Sequence, residues 1–369
     1  MARAKGFWHG VAIVVGMTMG AGVFALPAVF AASGWLTGLL YLILLGGIVV
    51  FVHTIYWQLL RRVDGEHRLL GLCEMYFGRP GFYSALLIMT SGLFLALVAY
   101  LALGSRFLIM MFPAIPSSLA PLIFWALSSA PLILGSRPAF VEMVGTVLMI
   151  GGIAFVFFGT PDFSPLFRIV PVDPAHLALP FGAILFALAG WPAVEPVYEL
   201  WREKGSAWSG ARVLAVGTAI AAALYFIFVV GIFGSTPNIT DDTISGLAGW
   251  PWAKLFAMGF VGIFAIWTSY IPIGVEIRNM FEKDLGVKTK HLATAIIVLV
   301  PLALLLAGLD NFMMLVSLTG GLFLSAEYFL ILAVGARALG LRSWRRTLLY
   351  LSMGAFGLAA IYELVRPAL

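Results

Sequence analysis

The sequence predicts an all-α integral membrane protein of eleven spans, the first ten forming two inverted five-helix repeats and the eleventh an accessory helix. Three observations predict it. Hydrophobic residues fill 62% of the 369 positions and charged residues only 11%, whereas soluble domains carry about a quarter charged residues. A membrane helix needs about 20 apolar residues, and eleven such runs are separated by charge clusters, Pro/Gly pairs or short polar loops. Two of the runs, five spans apart, carry helix-breaking residues at mid-depth.

The runs lie near 8–35, 36–60, 79–111, 118–135, 139–159, 175–200, 211–234, 252–280, 291–308, 311–336 and 345–366. All belong to one transporter domain covering 1–369, with repeat one at about 8–159, repeat two at about 175–336 and the accessory helix at about 345–366. The third, eighth and tenth are long enough to tilt. Lys and Arg are retained on the cytoplasmic side of a membrane. With the N-terminus inside, 18 of the 22 basic residues fall on that side, including Arg61, Arg62, Arg68, Arg137, Lys204, Arg278, Lys288, Lys290 and Arg346. Arg168, Lys254 and Arg366 fall near the outer face and Arg106 towards the outer end of span three, where the loops are otherwise acidic or neutral, as at Asp162, Asp173, Asp241, Asp242 and Asp310. The C-terminus is then outside. The positive charge is a topology signal and not a nucleic-acid surface. Cys73 is the only cysteine, so no intramolecular disulfide, thiolate cluster or CxxC pair exists. The first run is too long and too glycine-rich for a cleavable signal peptide.

Span one contains Gly16, Gly20 and Gly22 followed by Pro27. Glycine costs about 1 kcal/mol against alanine in a helix, so the cluster marks either an unwound segment or a close-packing small-xxx-small face. Span six decides between them. Gly190, Pro192 and Pro196 surround Glu195, and proline removes a backbone donor and clashes with the preceding turn. An offset of five spans reverses direction in the bilayer, which relates spans one to five and six to ten as inverted repeats with both breaks at the midplane.

At these residues the chain resembles the amino acid/auxin permease family and the bacterial tryptophan/tyrosine permeases, within the amino acid–polyamine–organocation superfamily. Gly20-Ala21-Gly22-Val23-Phe24-Ala25-Leu26-Pro27 is similar to the family's G-[SA]-G-hydrophobic-hydrophobic-x-L-P signature, and Pro192-Ala193-Val194-Glu195-Pro196-Val197-Tyr198 to its P-x-V-x-P-hydrophobic-Y run. Thr268-Ser269-Tyr270 resembles the T-S-F of the aromatic permeases. The resemblance implies a LeuT-like fold and cation-coupled amino acid import. Two departures bear on the coupling ion. Gly16 stands where sodium-coupled relatives carry Asn, and Glu195 where they carry an apolar residue.

An unwound helix exposes N–H groups at the start of its second half and C=O groups at the end of its first, each reinforced by the helix dipole. That pair complements a zwitterion. It assigns a substrate carboxylate to the N–H groups of Met19, Gly20, Ala21 and Gly22, and the ammonium to carbonyls near Leu188, Ala189 and Gly190. Trp191, Trp267 and Tyr270, with Thr18, Ser317 and Thr319, supply mostly apolar or aromatic surroundings, and no Asp, Lys or Arg is evident at the midplane. A neutral, hydrophobic or aromatic amino acid fits, although each aromatic is individually accounted for by packing or interfacial anchoring.

For the coupling ion, Thr268 and Ser269 are placed like the sodium site of LeuT-like transporters. With carbonyls near Gly16 and Met19 they would form an oxygen cage for a hard cation; otherwise they bond to their own helix. Glu195 is the proton alternative, since ionisable residues inside a membrane default to functional roles. Glu142 near the inner end of span five and Glu327 in the inner half of span ten read as vestibule residues or partners of a neighbouring Arg. His53 reads as packing. Sodium and proton therefore both remain open as coupling ions, and no other cofactor is implied.

The chain lacks a Walker A loop, a nucleophile constellation and a metal-ligand cluster, so it is not an enzyme and ATP does not drive it. The expected partners are an amino acid and the lipid of the inner membrane. An exchanger or exporter of the same fold differs from an importer only in gradients. A nutrient sensor or germinant-receptor-like subunit would need a docking tail, which the short termini do not offer, and a channel needs a continuous polar path.

Overall fold

A computed structural model describes residues 2–63, 68–134, 139–159, 164–203, 208–287 and 289–365. Arg137, Asp162, Lys204, Lys288 and Arg366 lie outside the described residues, and nothing is described of the side chains of Arg3, Lys5, Glu142 and Lys290. Among the described residues all regular structure is helical.

Span one is α1 (Ala2–Thr18), a 3₁₀ turn (Ala21–Ala25) and α2 (Leu26–Ser33), bent by 51°. Next come α3 (Trp35–Arg62), α4 (Leu69–Met111), α5 (Ala120–Leu134), α6 (Ala139–Gly159) and the short α7 (Ser164–Arg168). Span six is α8 (Pro180–Ala187), a 3₁₀ turn (Trp191–Ala193) and α9 (Val194–Glu203). It is followed by α10 (Gly210–Ser235), α11 (Trp252–Asn279), α12 (Lys290–Leu306), α13 (Phe312–Leu318), α14 (Ser325–Ala338) and α15 (Ser343–Val365). Seven helices are long and apolar enough to cross a membrane and the bent pair makes an eighth. Three shorter apolar helices, Ala120–Leu134, Thr146–Phe158 and His291–Leu306, occupy the fourth, fifth and ninth of the expected positions.

Both expected breaks are present, and beyond them α11 ends in a π-helical stretch, Met280–Asp284, while two further departures bear on the site. Span three starts early as a short helix from Leu69, then kinks at Gly78, whose φ of 69° lies in the left-handed region. Glycine reaches that region without a Cβ clash. Span ten widens into a π-helical stretch, Thr319–Leu324, between α13 and α14. There Gly320 lies against the carbonyl of Gly182 on α8, an approach that leaves no room for a side chain. An extra residue in a helical turn re-aims the side chains that follow, which is why such bulges occur at functional sites.

The two ends of the bundle are closed differently. At the end carrying most Lys and Arg, Arg61 stacks 4.7 Å from the ring centres of both Trp57 and Trp201. At the opposite end the segment between α10 and α11 folds over the bundle as a lid. Asp242 on this lid is buried, and its carboxylate accepts from Arg106 Nη1 of α4 at 2.7 Å, from Ser245 N–H and Oγ, and from Thr240 Oγ1. Thr243 adopts a φ of 63°, costing about 1–2 kcal/mol for a residue with a Cβ. Its hydroxyl donates to Phe24 O at 2.6 Å, which ties the lid to the 3₁₀ turn of span one. Beneath it Phe24 meets Phe107 and Phe228 edge-on at 5.0 and 5.5 Å.

Burial raises the affinity of the Asp242 carboxyl for a proton, but the bonds from Ser245, Arg106 and Thr240 more than offset this and hold its pKa below the ordinary carboxylate value. A group depressed on folding stabilises above its unfolded pKa, about 3.9 for Asp, and loses that contribution as pH falls through the lower folded value. Hydrogen exchange of residues 236–251 is therefore expected to stay slow from pH 7 to about pH 4 and to accelerate below it. Asp242→Asn is expected to exchange faster already at pH 7 and to show no such acid step.

Candidate functional site

One side chain bridges the two breaks. Tyr225 of α10 is fully buried, and its hydroxyl lies 2.6 Å from Thr18 O and 2.9 Å from Ala187 O. Those are the last carbonyls of α1 and α8, left without intrahelical donors where each helix stops. One hydroxyl proton is shared between them, and the Gly20 N–H faces the same oxygen. Leu188 O accepts from Gly190 N–H at 2.7 Å, and Gly190 O from Ala193 N–H at 3.0 Å. Ala21 and Gly22 open the 3₁₀ turn, so their N–H groups have no acceptor within the helix.

The breaks meet at a cavity of about 290 Å³. Thr18, Gly20, Gly22, Ala189 and Trp191 line it from the two broken spans, and Thr268 and Ser269 from α11. The far wall is the α4 face Gly92, Leu93, Ala96 and Tyr100, and the widened span ten adds Thr319 and Glu327. Towards the basic end the cavity continues to Glu195, Glu199, Arg68 and Glu276.

Other residues singled out by sequence lie outside this lining. Met19 is buried and its N–H is bonded to Val15 O at 2.8 Å, because α1 runs one donor further than the glycine spacing suggests. Ala21 is fully buried beside it. Gly16 packs against Thr146 of α6, and Gly190 against the Thr18 hydroxyl and the His53 ring. Leu188 is buried, its carbonyl turned back to Gly190. Tyr270 directs its hydroxyl at Ser129 and Trp267 donates to Ser128 Oγ at 3.0 Å, since both project from the α11 face packed on α5. Ser317 lies against Gly182.

Charged residues differ most from expectation. Arg68, assigned by sequence to a loop, reaches the cavity and pairs with Glu276 at 3.0 Å and with Glu195 at 3.5 Å. Glu195 also accepts from Tyr56 at 2.6 Å. The inner end of the cavity is thus ionic, where the sequence showed no midplane cation. Among the described residues Glu327 pairs with no Arg. It is 1% exposed, the indole N–H of Trp191 faces its carboxylate, and Oε2 has no partner among the described residues. His53 is buried, its Nε2 3.1 Å from the Tyr328 hydroxyl. Thr268 bonds back to Ala265 O at 2.7 Å while still lining the cavity.

Several lining residues were not singled out by sequence. Gly92, Ala96 and Tyr100 recur every four residues, a helix-face spacing that could have been noticed. Tyr225 and Glu276 had no comparable signal.

The model of the tryptophan/tyrosine permease family matches residues 3–334. The chain is 22% identical to the tyrosine-specific transport system 1 of Haemophilus influenzae, over 87% of this chain and 85% of that one. Among solved structures it is similar to a manganese transporter of Eremococcus coleocola, with a TM-score of 0.69 and 15% identity over 97% of this chain and 86% of that one. It is also similar to MhsT in complex with L-phenylalanine, with a TM-score of 0.67 and 13% identity over 98% and 97%. These likenesses show the fold, LeuT-like with broken spans one and six.

The close approach at the breaks is testable. A Cβ on Gly20 would run into Ser269 Oγ, a side chain, whereas one on Gly22 would lie 2.8 Å from the Ala187 Cα, which is backbone. Gly20→Ala is expected to lower stability in detergent by about 1–3 kcal/mol, and Ser269→Ala in the same chain to restore most of it. Gly22→Ala is expected to be destabilising with no side-chain change that rescues it.

Proposed function

The chain belongs to the tryptophan/tyrosine permease family, and from that premise we propose that it imports aromatic amino acids by alternating access, coupled to a cation. The observation that carries this reading is the cavity at the junction of the two breaks. At about 290 Å³ it sits at the small end of ligand pockets, roughly 300–1,000 Å³, a size for one amino acid. Gly22 lines the cavity, and its N–H, at the start of the 3₁₀ turn and without an acceptor in that turn, donates to the carboxylate. On span six, Ala189 lines the cavity, and its carbonyl is the one left there for the ammonium, since Leu188 O and Gly190 O are taken by protein N–H groups. Ala96, Tyr100, Phe186 and Trp191 surround the side chain. The tyrosine-specific relative and the phenylalanine-bound neighbour support an aromatic one.

Access follows from the two ends. The Arg106–Asp242 lid is shut, while the cavity reaches exposed Glu199 at the basic end. With the basic end in the cytoplasm, this is an inward-facing state of an inner-membrane protein. Arg68 then links α9 to α11 across the exit. For the cation, an oxygen site at Thr268 and Ser269 with carbonyls of Gly16 and Met19 favours sodium, and Glu195 is the proton alternative.

Uptake of labelled tyrosine, tryptophan and phenylalanine into proteoliposomes tests the proposal, first with a sodium gradient at constant pH, then with a proton gradient in sodium-free buffer. Accumulation above equilibrium under one gradient is the expected result. Sodium-driven uptake that falls at least ~10-fold in Ser269→Ala supports the oxygen site, because removing one of its few hard ligands weakens cation binding. Proton-driven uptake moves coupling to a carboxylate. Saturable binding without accumulation under either gradient contradicts transport and favours a sensor.

A further inference from the structure

We infer that Glu327 is the counter-charge for the substrate's α-ammonium, which makes it the residue that selects amino acids over their deaminated analogues. This rests on the amino acid reading of the central cavity and adds to it an anionic subsite on span ten.

The starting point is a buried carboxylate with no cation. Glu327 is 1% exposed and lines the cavity. One oxygen stands 3.4 Å from where a Gly92 side chain would begin, and the other has no partner among the described residues. Its facing neighbours are the neutral indole of Trp191, the Tyr328 ring and, further off, the carboxylate of Glu276. Arg68, the cation lining the same cavity, is already engaged by Glu195 and Glu276. Removing a carboxylate from water costs several kcal/mol unless a partner of opposite charge compensates it, and inside a membrane such residues mark ligand or ion pathways.

A zwitterion supplies that partner. Its carboxylate is met by N–H groups and the positive helix end at Ala21 and Gly22, but the span-six carbonyls are uncharged dipoles that already accept protein hydrogen bonds at Ala187, Leu188 and Gly190. An ammonium has three donors and a full charge. Glu327 offers the balancing charge on the exit side of the breaks, held in place by the packed indole of Trp191, which is 2% exposed. The π-helical widening at Thr319–Leu324 lies just before it, and Thr319, Leu324 and Glu327 line the cavity together.

The test compares binding of tyrosine and of 3-(4-hydroxyphenyl)propanoate, which lacks only the amine, to purified wild-type, Glu327→Gln and Glu327→Asp protein by calorimetry, with thermal unfolding of each. Wild type is expected to prefer tyrosine strongly. Glu327→Gln keeps the shape and is expected to lose ~30-fold or more in tyrosine affinity, as for loss of one partner of a buried charge pair. The analogue should bind Glu327→Gln at least as well as wild type, since an anion no longer faces an anion. Glu327→Asp should retain part of the preference. Unchanged tyrosine affinity in Glu327→Gln, or an equal fall for both ligands, overturns the assignment while leaving the amino acid reading standing. Unchanged affinity with altered proton dependence of uptake identifies the carboxyl as a proton carrier and overturns it too. A stable wild type that binds no aromatic amino acid overturns the amino acid reading and this assignment together.

Discussion

The architecture depends on a hydroxyl that satisfies two broken helices at once. A helix that stops in hydrocarbon leaves carbonyls without donors, and each buried, unsatisfied polar group costs about 1–3 kcal/mol or more. Tyr225 removes part of that cost at Thr18 and Ala187 together, which fixes the separation of the two breaks. Their remaining backbone groups are thereby aimed into one cavity. Without such a bridge the glycines and prolines would still break the helices, and the packing of Gly22 on Ala187 and of Gly190 on Thr18 would hold the breaks together with their end carbonyls unsatisfied.

The rest of the structure follows from keeping that junction reachable from one side at a time. On the lid side, burial is apolar and tight: Phe24, Phe107 and Phe228 pack beneath the lid, and the Thr243 hydroxyl joins it to span one. Towards the basic end the walls are ionic, with one Arg shared by two carboxylates at part-exposed positions. Pairs of that kind contribute little net stability where water reaches them, so they can be exchanged at small cost. One face is thus closed by packed aromatics under the Arg106–Asp242 pair and the other by the Arg68 pairs alone, an asymmetry that suits access from one side at a time.

What was legible in the sequence was the chemistry of the backbone itself. Gly20, Gly22, Pro192 and Pro196 act through their own covalent structure, so the breaks could be located without knowing any neighbour. The same holds for the spans and for the charge alternation of the loops. What could not be read was partner choice. Tyr225 sits in an apolar run and looks like any packed aromatic. Arg68 resembles a topology signal until its long side chain is seen to reach Glu276. Trp267 and Tyr270 flank Thr268 and Ser269 in sequence, but the packing of α11 on α5 turns them away from the cavity. Of the two readings of Glu327, a vestibule residue or a partner of a neighbouring Arg, sequence alone could not choose, because the choice depends on which side chains face it across the cavity.

The central claim is a single cavity at the junction of the breaks, open towards the basic end and filled by an aromatic amino acid. Cys73, the one cysteine, is buried, so a cysteine placed at Ala96 in a Cys73→Ser background reports on the cavity alone. Labelling of that site in oriented membrane vesicles by a membrane-impermeant thiol reagent is the most direct measurement. The account predicts reaction from the face bearing Arg68 and Glu276, none from the lid face, and protection by tyrosine. Labelling from both faces at once, or labelling indifferent to any aromatic amino acid, would contradict it.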